Sequence, residues 1–489
     1  MSTAEEPVPD VLDTPDAGPA VIRGGALRAG GYMAGILLAL ASAPFLVRHL
    51  GNVDFGRYTV VLSIIALVAG LTEGGVQSVG LREYTVRSGA DRHRLLRNLL
   101  GVRIALTTVA VALAVGFAAV AGYDHTMVIG TALAGIGLVL QSVQTLVAVP
   151  LQGELRFGWA TATDLCRQAV TVALTIAFIL AGAGLLPFLA TSIVGGAVAL
   201  VMTVVLVRHV MPFRPAFDRA DWWLLIRDTV PYAAAIALNV AYFRIGVIIV
   251  SLVSTAVETG YYSVSYRILE VILPIPALMI GAVFPVLARA ARDDHERLSY
   301  ASKRVFETAV LVGALFVIGI ELGAPFLVKV LAGHAPHSVP ILRIQGVAIL
   351  ATFVAVGCGF PLLSLHRHRE LLIANVVALT LCISLTLGLV PELGAKGAAI
   401  GAASAEYALA VVTAFLLARA SRSLRPPLGA AAIAVAAAAL SIGLALIPDI
   451  PSVARAVLGS LIYIALLAVL GRIPAELLEH IPGLRMRTQ

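Results

Sequence analysis

Lysine is nearly absent from this 489-residue chain: only Lys303, Lys329 and Lys396 occur. None precedes Ser or Thr in a glycine-rich loop, so there is no Walker A motif, and ATP hydrolysis by that route is excluded. Charge of either sign is scarce, at 13% of residues, against roughly 25% in soluble domains. The three cysteines, Cys166, Cys358 and Cys382, all lie in apolar stretches, which argues against a disulfide framework. A large polar insertion of the kind carried by a polytopic glycosyltransferase or polymerase is also missing, so the chain reads as a non-enzyme. No charged segment followed by a short apolar core opens the sequence, which excludes a signal peptide. Nothing points to a cofactor or a resident metal.

What is present is apolar sequence: 59% hydrophobic residues and a mean hydropathy of +0.95. Runs of about 20 apolar residues recur along almost the whole chain, which is the length that crosses a bilayer as a helix. The fold class expected is an all-α polytopic membrane protein. Fourteen spans are legible, at Gly24–Arg48, Phe55–Val79, Leu95–Ala121, Met127–Val149, Ala160–Ala181, Leu185–Val207, Leu224–Val253, Gly260–Ala288, Val305–Leu322, Ile341–Leu365, Leu371–Val390, Lys396–Leu417, Leu428–Ile447 and Val453–Leu470. Met1 to Ala20 is acidic and aperiodic and is expected to be a disordered tail. Leu477, Leu478, Ile481 and Leu484 suit a short interfacial helix at the other end. Between the spans, Ala324–Pro340 is the longest external loop, with room for a short interfacial helix of its own.

The net charge of +7 resides in short loops, as topology signals do, and implies no nucleic acid. Alternate loops and their flanking helix ends carry 27 basic residues on one side and 6 on the other, with Arg244 and Arg267 left inside the membrane. Positive charge stays in the cytoplasm. Both termini are therefore expected to be cytoplasmic, in the inner (plasma) membrane. Arg82 to Arg103, the basic connection between the second and third spans, is read as a topology determinant that could also attract anionic headgroups.

The chain repeats itself. Val257-Glu258-Thr259-Gly260-Tyr261-Tyr262-Ser263-Val264 matches Val53-Asp54-Phe55-Gly56-Arg57-Tyr58-Thr59-Val60 at a spacing of 204, and Pro361-Leu362 with Arg367 matches Pro150-Leu151 with Arg156 at 211. Two six-helix halves with parallel topology follow, related by an axis along the membrane normal. The expected domains are a tail (1–20), a first lobe (21–208), a cytoplasmic linker (209–223), a second lobe (224–420), two extra helices (421–471) and a tail (472–489).

Arg48-His49-Leu50-Gly51 followed by Asp54-Phe55-Gly56-Arg57-Tyr58, with Gly74-Gly75 running to Leu81-Arg82-Glu83, resembles the N-terminal corner of Wzx-type polysaccharide flippases. Those belong to the superfamily that includes MATE antiporters and lipid II flippases. The resemblance implies two six-helix bundles that open alternately and move undecaprenyl-diphosphate-linked oligosaccharide outward. It implies membrane lipids as surroundings, and a polysaccharide polymerase and glycosyltransferases as partners. A MATE-like cation-coupled exporter and a lipid II flippase are the alternatives within transporters. A non-transporting scaffold for glycan assembly is the alternative outside them.

Arginines inside the membrane are costly and normally face a cavity or a partner. Arg244 and Arg267 lie about 13 and 10 Å from the outer ends of their helices, counting 1.5 Å per residue. Together they would suit bidentate contact with a diphosphate. The competing reading makes Arg267 and Glu270 a structural ion pair. Arg48 and Arg57 flank the first corner, where they either meet substrate or snorkel. Arg28 lies near the inner end of the first span, suited either to an inward-facing cavity or to anchoring. Glu73 and Gln77, four apart, and Gln141 and Gln144 are candidate sugar contacts, with interhelical glue as the other use. Asp164, Glu270, Glu321 and Glu406 are candidates for ion or proton coupling.

Overall fold

The structure is a computed structural model that describes residues 17–73, 76–86, 89–209, 215–216 and 218–472. Its helices in the first part are α1 (Ala17–Glu73), α2 (Val76–Val86), α3 (Gly89–Val120), α4 (His125–Val147), α5 (Val149–Gly153), α6 (Phe157–Leu180), α7 (Leu185–Val207) and α8 (Arg219–Val253). There follow α9 (Ala256–Ile272), α10 (Pro274–Gly281), α11 (Phe284–Asp293), α12 (His295–Ala332), α13 (Ser338–Ser364), α14 (His368–Leu393), α15 (Ala395–Ala420), α16 (Leu428–Ala445) and α17 (Ser452–Val469). No strand occurs among the described residues.

Thirteen of the described helical stretches are long and apolar enough to cross a membrane. The first, Gly30–Glu73, has 44 residues. At 1.5 Å per residue it measures about 66 Å, twice a hydrocarbon layer of about 30 Å. It breaks at Gly51, where φ is 69° and ψ is 179°, a region of backbone space that is essentially glycine's alone. The break turns one helix into two crossings and brings the total to the fourteen expected. The span expected at Gly260–Ala288 is divided into α9, α10 and α11, with Pro274 and Pro285 in the first turns of α10 and α11, where a proline's missing N–H does least harm.

Several boundaries differ from the sequence reading. Residues 17–20, expected in the N-terminal tail, are helical, and the rest of that expected tail, Met1–Asp16, lies outside the described residues. The outer loop expected at Ala324–Pro340 shrinks to 333–337, because α12 runs to Ala332 through Pro325 and α13 starts at Ser338. That leaves no room for an interfacial helix there. Gly74-Gly75 and the four leucine and isoleucine positions of the C-terminal tail also lie outside the described residues.

The duplication has a backbone signature. Gly122 and Gly333, and likewise Leu155 and His366, have positive φ and stand 211 residues apart; Gly182 and Gly394 do the same at 212. Leu155 and His366 are the informative pair, since a non-glycine side chain rarely adopts φ near +55°. Each follows a proline (Pro150, Pro361) and precedes an arginine (Arg156, Arg367) that opens the next helix with nearly the same dihedral angles.

The chain divides into two compact units, Met1–Arg244 and Ile245–Gln489, with the division inside α8. In the first, α4 packs on α7 and α1 on α6. Gly137 permits the α4–α7 approach: a β-carbon there would stand 2.6 Å from that of Ser192. At the corner after Gly51, Arg57 bridges Asp54 at 3.0 Å and Asp124 at 2.8 Å. Asp124 also caps α4 by accepting from the Met127 N–H. In the second unit, α13 packs against α12 and α15, and α14 against α15. Glu258 of α9 accepts the N–H of Ala395 at 2.8 Å and so holds the start of α15. Helices α16 and α17 lie on α12, with Tyr463 buried and donating to the Leu311 carbonyl. One face of α16, with Ala434, Ala437, Ala438 and Ala445, is buried in that packing, while Ala432, Ala436 and Ala439 are exposed.

Candidate functional site

In the first unit a cavity of about 580 Å³ opens among α1, α4, α5 and α6, a size typical of ligand sites. Helical periodicity builds it. Arg28, Tyr32, Gly35 and Ala39 recur on one face of α1; Gly31 lets α1 approach α6, since a β-carbon there would collide with Thr161, and Gly35 leaves open space in front of Gln168. Gln141, Gln144 and Thr145 come from α4, and Gln152 from α5. Asp164, Arg167 and Gln168, spaced i, i+3, i+4, line it from α6. Glu73, the last residue of α1, completes it.

The lining combines opposite charges with amides. Arg28 and Arg167 both act electrostatically on the Asp164 carboxylate. The Nε of Arg167 is buried without a hydrogen-bond partner. Glu73 is held from behind by Arg103 of α3, whose Nη2 lies 3.5 Å from Glu73 Oε1 and whose Nη1 donates to the Thr72 carbonyl. The Arg103 side chain is only 3% exposed. Gln144 donates to Thr203 at 3.2 Å, so part of its hydrogen-bonding capacity joins α4 to α7.

The structure therefore gathers Arg28, Glu73, Gln141, Gln144 and Asp164 around one space. Gln77 lies on α2, with its side chain outside those described. Arg48 is exposed on α1 just before the break, and Arg57 is engaged in the corner ion pairs. Arg244 is half-buried at the end of the first unit. Arg267, in the second, pairs with Glu270 at 2.7 Å. Glu406 is buried and accepts from Thr352 at 2.9 Å. Glu321 has one oxygen buried without a partner.

Two residues went unnoticed in the sequence, where Arg103 and Arg167 counted only as cytoplasmic charge. The spacing of Arg167 from Asp164 was a usable signal. Nothing local marks Arg103, whose burial depends on α1 ending beside α3.

The sequence pattern of the family described as "Polysaccharide biosynthesis protein" matches residues 21–291, more than half of the chain. No protein of curated function matches the sequence. Among solved structures, the lipid II flippase MurJ in an inward closed conformation superimposes with a TM-score of 0.75 at 13% identity, covering 91% of this chain and 99% of that one. An inward-facing multidrug resistance MATE family transporter of the MOP superfamily gives 0.61 at 18% identity, covering 81% and 98%. A MOP superfamily transporter from Pyrococcus furiosus gives 0.56 at 18% identity, covering 83% and 95%. At these identities the likeness is one of fold.

Proposed function

This chain belongs to the polysaccharide biosynthesis protein family, and on that premise we propose that it flips undecaprenyl-diphosphate-linked oligosaccharide from the cytoplasmic to the outer leaflet of the inner membrane. Both termini are cytoplasmic in this reading, and the polymer is completed by polymerase and glycosyltransferase partners. The observation that carries the proposal is the cavity of the first unit, which sets two arginines and four glutamines among membrane-spanning helices. A diphosphate cannot cross about 30 Å of hydrocarbon without compensating charge. Guanidinium groups supply that charge in bidentate form, while amides suit the hydroxyl groups of a sugar. Arg28 meets the diphosphate from the cytoplasmic side, and Arg244 and Arg267 meet it further along the path. The likeness in fold to MurJ lends support, since that protein is a lipid II flippase.

The test is export of the lipid-linked glycan in cells carrying variants at normal protein level. Arg244→Ala should abolish export, and Arg244→Lys should restore it in part, because a point charge does not reproduce bidentate contacts. Full export by an Arg28→Gln, Arg244→Ala double variant would refute the reading.

A further inference from the structure

The α6 side of the first cavity contains an acid where an anion is expected to bind. Asp164 lies one turn before Arg167 on the same helix face, and Arg28 approaches it from α1. Asp164, Arg28 and Arg167 have no ion pair within 4 Å among the described residues, yet both cations act on the carboxylate. The Arg167 Nε, buried and without a partner, is a donor left over for a ligand. The other groups facing the space are Tyr32 and Glu73 from α1, and the uncharged Gln141, Gln144 and Gln152 from α4 and α5. Glu73 is occupied by Arg103. Helix α7, which packs on α6, carries no charged residue.

We propose that Asp164 is a built-in counter-ion whose charge balances Arg28 and Arg167 until a phosphate-bearing cargo replaces it in that role, so that each anion binding there takes up a proton onto Asp164. The proposal deepens the flippase reading and rests on it for the identity of the cargo. The physical reason is charge. In the empty cavity the carboxylate neutralises part of the field of two arginines. A diphosphate competes for the same guanidinium groups and repels the carboxylate beside it. Like charges a few ångströms apart in a low-dielectric site do not both stay ionised. Protonation of Asp164 removes the repulsion and frees both arginines for bidentate contact with the phosphates. Binding and protonation are then linked, and each favours the other by the same factor. On the outer side, loss of the proton restores the negative charge beside the phosphates and expels the anion.

The experiment uses the purified full chain in lipid nanodiscs, with farnesyl diphosphate as the probe. Calorimetric titrations at several pH values, in two buffers of different ionisation heat, report protons taken up per probe bound. The probe's own protonation is common to all variants, so the quantity read is the difference from wild type. Wild type should take up about one proton more than Asp164→Asn, and its affinity should fall by up to about tenfold more per pH unit than that of the variant. Asp164→Glu should retain the uptake, which separates loss of the carboxylate from loss of fold. Arg28→Gln and Arg167→Gln should each weaken binding by about tenfold or more. Equal proton uptake in wild type and Asp164→Asn, or undiminished binding by both arginine variants, would overturn the proposal. Intact glycan export with no proton difference would sink the counter-ion while sparing the flippase. Proton-linked diphosphate binding without glycan export would do the reverse.

Discussion

Gly394 offers a quantitative test of how the outer corners are built. It sits at φ 57° and ψ −138°, between α14 and α15. A β-carbon there would lie 2.9 Å from the carboxylate carbon of Glu258, the group that accepts the N–H of Ala395. Gly182 occupies the corresponding corner of the first unit with φ 68°, and a β-carbon there would have nothing within 4 Å. An alanine at either site bears the backbone cost, on the order of 1–2 kcal/mol. At 394 it also displaces Glu258, which removes a half-exposed charge-assisted hydrogen bond of about 1 kcal/mol and leaves a helix N-terminus uncapped. Gly394→Ala should therefore cost about 2–4 kcal/mol and Gly182→Ala about 1–2 kcal/mol. For a unit of roughly 240 residues, each kcal/mol corresponds to about 2 °C. Thermal unfolding of the purified protein should thus show a fall of about 4–8 °C for Gly394→Ala and about 2–4 °C for Gly182→Ala. In a Glu258→Ala background the excess cost at 394 should vanish, since the clash and the bond are lost together. Equal shifts at the two glycines, or a Gly394→Ala cost untouched by Glu258→Ala, would show that Glu258 does not hold α15 in this way.

Cysteines placed at Asn52 and Glu392 should react with an impermeant thiol reagent from outside, and one at Asp293 should not; labelling at Asp293 would invert the proposed topology. Tyr84 is buried on α2 and donates to Glu154 at 3.1 Å, with Arg92 over its ring. Burial first, and then the Glu154 carboxylate, pushes its phenol from 10.0 up to about 12. The folded state thus holds the proton more tightly, a stabilisation fully present below pH 10 and lost as pH rises through about 12. Tyr84→Phe should remove that alkaline loss, and an unchanged high-pH unfolding profile would count against the α2–α5 contact. Glu270→Ala should lower the amount of folded protein as much as Arg267→Ala if their 2.7 Å pair is structural; a larger loss of export from the arginine alone would assign Arg267 to the cargo.

Much of the fold was legible because a bilayer imposes simple rules on sequence. Backbone groups in hydrocarbon must be bonded within a segment, so apolar length alone marked fourteen crossings. The break after Leu50 was readable for a similar reason, since only glycine adopts the angles found at Gly51. The duplication showed in Pro150 and Pro361, and the structure added Leu155 and His366, whose positive φ no sequence rule would assign to leucine or histidine. The loop at 333–337 was misjudged because Pro325 reads as a helix stop, yet α12 continues past it. In a membrane helix, neighbours can re-satisfy the carbonyl that a proline leaves free.

For the site, residue type and helix face were sequence properties. Arg28, Gln141, Gln144 and Asp164 were visible as polar residues on apolar helices. That they surround one cavity depends on how α1, α4 and α6 turn toward one another, and no spacing within one helix fixes that rotation. Arg103 shows the same division. Its sequence context is that of a cytoplasmic basic loop, and only packing of α3 beside the end of α1 buries its guanidinium against Thr72 and Glu73. The sequence by itself determined how many times the chain crosses, where it bends and that it repeats, because these follow from local hydrophobicity and backbone sterics. The tertiary structure alone decided which charges meet, because a charge's partner is set by distances between helices far apart in sequence.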